Sequence, residues 1–171
     1  MTFALRGRML DSKFVDARTA MTTLRNGIVF VTLCIAALAA SAQDGCAPLG
    51  DVQFVCGPTN AEDLVLVPGT PWILSSGMAR GAAFYAIDSR NGEWSALQTQ
   101  ARHDTAAYPR CPGPPAAAAS ESHGLSIRAA APGRSTLHVV GHGAREAIEV
   151  FDVDVTSGRP ALTWNGCVLM P

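Results

Sequence analysis

The chain has 171 residues, room for one domain of ordinary size, and a formal net charge of −1. That balance excludes the strongly basic footprint of a nucleic-acid binder. The charge is uneven: residues 1–42 carry five basic and two acidic side chains, whereas residues 43–171 carry eight arginines, no lysine and twelve acids.

The positive start has a reading of its own. From Met21 the sequence runs MTTLRNGIVFVTLCIAALAASAQ. Arg25 supplies positive charge, Ile28 to Ala40 form an apolar core with a single Thr, and Ala40-Ser41-Ala42 place small residues where a signal peptidase cuts. The segment is expected to form a secretory signal, an apolar helix over residues 28–40 with cleavage after Ala42. An uncleaved N-terminal anchor is the alternative, and the core is short against the roughly 20 apolar residues of a membrane span. Residues 1–20 show no pattern, and Met21 is the expected true start. Export, to a periplasm or the exterior, places the mature chain among oxidised thiols. Cys34 lies in the signal core; Cys46, Cys56, Cys111 and Cys167 remain, an even number with three possible pairings. None has the CxxC spacing of a zinc site.

Residues 43–60 are rich in turn formers and read as loop. Short strands follow, each cut by turn residues. DLVLV ends at Pro68-Gly69, PWILSS runs to the glycines at 77 and 81, AAFYAI meets the Asn91-Gly92 turn, and EWSAL completes a first set over about 62–97. Residues 98–120 hold Pro109, Pro112, Pro114 and Pro115 and an Ala run, and read as one long loop with at most a helical turn. A second set over about 123–165 comprises GLSIRA, STLHVV, AIEVFDV and PALTWN. Aligning FYAID with EVFD places Asp88 and Asp152 64 residues apart, and the turn glycines Gly92 and Gly158 lie 66 apart. The expected class is all-β, two four-stranded antiparallel units repeating as the blades of a β-propeller. A single eight-stranded sandwich without a repeat, stapled by disulfides, is the alternative.

The chemistry-bearing residues are few. Glu62 and Asp63 stand side by side at the start of the first strand. Neighbours on a strand point to opposite faces, so the two carboxylates are placed to serve two different hard cations, or else to solvate a strand entry. His123 opens the second set. His138 and His142 have the spacing of a zinc pair on a helix, but their segment reads as strand, which sets zinc aside. His103 lies in the loop and is given no role.

Taken together, AEDLVLVPGTPWILSSG, SHGLSI, LHVVGHGAREAIEVFDV and WNGCVLMP resemble the paraoxonase (arylesterase/lactonase) family, within the gluconolactonase-like six-bladed propellers. The resemblance spans about residues 56–171. It implies a calcium-dependent hydrolase of small-molecule esters or lactones, with two calcium ions. Glu62 is the implied ligand of a catalytic calcium, Asp63 of a structural one, and Leu125 offers its backbone carbonyl to the latter. His123 is the implied general base, and His142 the second member of a proton-shuttling dyad. Gly141 stands where the family commonly has Asn. The family's other calcium ligands come from later blades, so the chain is expected to be a truncated piece of a propeller, inactive by itself. A non-catalytic propeller fragment or binding module is the competing reading. The expected partner is a small molecule, with no nucleic acid and no membrane contact except through an uncleaved signal.

Overall fold

A computed structural model describes residues 46–82 and 84–171. The expected signal helix, its cleavage point and the Met21 start lie outside these residues. Pro48–Pro171 forms one compact unit. Among the described residues, no helix is long and apolar enough to cross a membrane.

The described chain is all-β, in two sheets. β1 (Ala61–Leu66), β2 (Trp72–Gly77), β3 (Phe84–Asp88) and β4 (Trp94–Leu97) form a four-stranded antiparallel meander in sequence order. β5 (Thr99–Ala101), β6 (Ser120–Ala131), β7 (Arg134–Gly143), β8 (Ala147–Asp154) and β9 (Ala161–Leu169) form the second sheet, in the order β5-β9-β8-β7-β6. The turn chemistry is what the dipeptides demand. Gly69 sits at φ +73° in the β1–β2 hairpin and Gly92 at φ +72° between β3 and β4, a region that suits glycine. The 64-residue offset relates like to like: Asp88 ends the third strand of the first meander, and Asp152 lies on the third strand of the second.

Three expectations need correction. First, the second sheet has five strands. Thr99–Ala101 lies in what reads as loop, yet pairs in parallel with Leu162–Trp164 of β9. Three exposed residues carry no alternating pattern, so a partner some sixty residues away decides their conformation. Second, β6 begins at Ser120 rather than at His123, because Ser120–Ser122 continue the ladder opposite Gly141–Gly143. Third, the second set does not end at residue 165. β9 runs through it to Leu169, and the Tyr108 ring lies where a Cβ on Gly166 would stand, 2.3 Å from its nearest atom. A glycine inside a strand marks this kind of close approach. The Ala run forms one 3-10 turn, Ala117–Ala119.

The core lies between the sheets. Leu74, Phe84 and Ala86 of the first meander meet Leu137, Val139, Phe151, Leu162 and Trp164 of the second. The Phe84 and Phe151 rings pack edge to face with centroids 5.3 Å apart. The Trp72 indole N–H donates to the Gly158 carbonyl at 2.9 Å, tying the first sheet to the β8–β9 turn. Cys111 is bonded to Cys167, fastening the long loop to β9 across 56 residues, and Cys46 and Cys56 are disulfide-bonded too. A closed loop of that length stabilises by about 4 kcal/mol in the chain-entropy account.

Asp88 is the most perturbed acid. Its carboxylate accepts from the Arg90 guanidinium and the Arg90 amide, which hold it down at about 2. A folded value below the unfolded one means that the contribution to stability is present above about pH 4 and is lost as pH falls from about 4 toward 2. Asp88→Asn is therefore expected to destabilise the protein at neutral pH, with the difference from wild type vanishing by about pH 2. Denaturant titrations of both proteins across that range check it; a pH-independent difference contradicts it.

Candidate functional site

The candidate site forms where the first strands of the two meanders, β1 and β6, approach each other. Both are irregular at that point. The β1–β2 register shifts between Ala61 and Leu64, and the β6–β7 register shifts between Ser122 and Leu125. The irregular stretches contain Glu62 and Asp63 on one strand and His123 on the other. A bulge re-aims side chains and breaks strict alternation. Both carboxylates reach β6, Glu62 at His123 and Asp63 at Leu125, two residues apart.

Glu62 Oε2 lies 2.9 Å from His123 Nδ1. The His123 ring meets the His142 ring edge to face, with centroids 4.5 Å apart. His142 Nδ1 in turn contacts the Glu146 carboxylate. A carboxylate, two imidazoles and a second carboxylate thus form one continuous row. The His123 side chain is 24% exposed, so it is sheltered yet reachable from solvent. A carboxylate beside Nδ1 favours the proton on that nitrogen, which leaves Nε2 as the acceptor.

Asp63 does something different. Its Oδ2 accepts the Leu125 amide at 2.7 Å and its Oδ1 accepts the Leu64 amide at 2.8 Å, while its own N–H donates to Ser76 Oγ at 3.2 Å. It fastens β1 to β6. The group of Leu125 that meets Asp63 is its amide.

The fit to calcium can be judged from these contacts. Calcium takes six to eight oxygen ligands. The site offers the carboxylates of Glu62 and Asp63, and both Asp63 oxygens already accept backbone amides. Among the described residues no cluster of three or more His, Cys, Asp or Glu is arranged to hold a metal ion. The residues present do not make a calcium site on their own.

His138 is on β7 opposite Ser126 and Val150, away from the imidazole pair. His103 has more structure around it than a plain loop residue: its ring lies 5.3 Å from that of Trp164, and its Nε2 is buried without a hydrogen-bond partner among the described residues. Two further features escape sequence reasoning. Glu146 is one; its only signal is proximity to His142 in GHGARE. The other is the Arg145–Glu149 pair, joined by two N–H···O bonds of 2.7 and 2.8 Å. The Trp164 indole N–H adds a third donor to Glu149 at 2.7 Å, and Arg145 also donates to the Gly113 carbonyl at 2.8 Å. Glu149 is buried. The four-residue spacing suggests a helix, but here it spans the β7–β8 turn.

No family model, no curated protein and no solved structure matches this chain.

Proposed function

We propose that the chain is part of an exported hydrolase of neutral esters or lactones, of the arylesterase/lactonase type, with His123 as general base. The observation that carries this reading is the row Glu62–His123–His142, assembled from two sheets by residues that sequence motifs single out independently. Glu62 holds the His123 proton on Nδ1. His123 Nε2 takes a proton from water as the water oxygen bonds to the substrate carbonyl carbon. The tetrahedral intermediate expels the alcohol oxygen, which receives that proton back from Nε2. His142, in contact with His123, relays protons between this centre and solvent.

Calcium enters the proposal through the Glu62 and Asp63 carboxylates, which supply only part of a coordination shell; the remaining oxygens are to come from beyond this cluster. The strand runs β1–β4 and β6–β9, each a meander in sequence order with β5 added beside β9, support reading the two sheets as adjacent blades of a six-bladed propeller. Two disulfides among the described cysteines accord with export to a periplasm or the exterior.

A second reading has its own observation. Asp63 spends both oxygens on backbone amides, which suits a structural lock in a non-catalytic binding module. Phenyl acetate and a γ-lactone, offered in calcium and in chelator to the full-length protein purified from its own source, separate the two. Turnover lost in chelator supports the hydrolase; no turnover in calcium supports the binding module.

A further inference from the structure

Between the two sheets lies a cavity of about 450 Å³, within the range of small-molecule pockets. Its walls are mostly apolar: Phe84, Leu97, Val139, Phe151 and Trp164 come from five different strands. His142 belongs to the wall as well as to the imidazole pair, so the cavity reaches the candidate site. Three ionic side chains line it: Glu121, which pairs with Arg80 at the rim, and Arg145 and Glu149, which are bonded to each other. Arg145 and Glu149 sit in the wall as a neutral pair, and the guanidinium retains N–H groups beyond those given to Glu149 and Gly113.

We propose that this cavity binds the apolar chain of a neutral ligand whose head carries a hydrogen-bond acceptor. The apolar walls gain by covering hydrocarbon. The ion pair disfavours an ionised head: a carboxylate entering here meets a cation already neutralised by Glu149, and loses its hydration without an opposite charge in return. An alcohol, ketone, ester or lactone oxygen accepts an N–H without that cost. Identifying the natural ligand as an ester or lactone rests on the hydrolase reading; the pocket itself does not.

The test measures binding without catalysis. The full chain, held in chelator, is titrated calorimetrically with 1-butanol, 1-hexanol and 1-octanol, and with octanoate. Affinity is expected to rise roughly fourfold per added methylene until the cavity is filled. Octanoate is expected to bind at least tenfold more weakly than 1-octanol. Ala101→Phe and Thr99→Phe, on the exposed strand β5 at the cavity wall, are each expected to weaken 1-octanol at least tenfold. Two substitutions on one exposed strand guard against a single variant that misfolds. The absence of saturable binding overturns the proposal, as does 1-octanol binding that neither variant changes. Octanoate binding as tightly as 1-octanol overturns the neutral head. If the alcohols bind as expected and phenyl acetate is not turned over in calcium, the pocket stands and the hydrolase reading falls.

Discussion

His123→Gln is expected to lower ester hydrolysis at least 100-fold, at nearly unchanged KM. Gln occupies a similar volume and retains a hydrogen-bonding head beside Glu62, but it has no basic nitrogen to receive a proton from water. Loss of a positioned general base typically costs a factor of 10² to 10⁴, and 100-fold corresponds to about 2.7 kcal/mol of transition-state stabilisation. Glu62→Gln strikes the same row: it removes the charge that orients the imidazole and a carboxylate of the proposed calcium shell, so ester hydrolysis is expected to be lost with it as well. The check is kcat and KM for phenyl acetate in both variants, alongside a melting curve to verify folding. Activity that survives His123→Gln within a factor of three removes His123 from the mechanism.

Glu149→Ala is expected to be the most damaging substitution for stability, at about 3–5 kcal/mol, or roughly 10–20 °C in Tm. The magnitude follows from what is left behind. Arg145 is largely buried, with a side chain 16% exposed, and it loses the acid that accepts two of its N–H groups. The Trp164 indole N–H loses its acceptor in the same step. An unpaired buried cation is far costlier than the absence of the pair. The double variant Arg145→Met, Glu149→Leu fills the space with apolar groups and strands two neutral groups, the Trp164 indole N–H and the Gly113 carbonyl, but no charge; it is therefore expected to cost less than Glu149→Ala, on the order of 1–3 kcal/mol. Urea unfolding of the single and double variants checks the order. A double variant less stable than the single one contradicts the argument.

Much of the fold is legible in the sequence because its signals are local. In STLHVV the alternation of apolar and polar residues matches β7, where Leu137 and Val139 are buried while Thr136 and His138 are half-buried. Asn91-Gly92 and Pro132-Gly133 turn the chain because their backbone preferences demand it. What is not legible is decided at a distance. TQA in β5 has no pattern of its own, and only the edge of β9 makes it a strand. Asn165-Gly166 has the letters of a turn, but burial beneath Tyr108 overrides them. The site divides in the same way. Glu62, Asp63, His123, Leu125 and His142 are found by motif, and the structure brings them to one junction. Glu146, and the ion pair beside Trp164, depend on how the β7–β8 turn folds back, which no spacing rule for strands encodes.

The parallel strand β5 has a consequence for the order of events as the chain folds. Its partner, β9, is the last strand described, so a nascent chain has nothing for Thr99–Ala101 to pair with until residues 162–164 have been made. The same two regions are joined by Cys111–Cys167. Each meander closes through neighbouring segments and is quick to form; the clasp between the long loop and β9 is the non-local step, and such steps come late. Oxidation of this one cysteine pair therefore fastens the wall of the inter-sheet cavity. In a compartment that keeps thiols reduced, the long loop is held to β9 without that covalent tie, by the β5–β9 ladder and the Arg102 and Asp104 amides that donate to the Trp164 and Asn165 carbonyls.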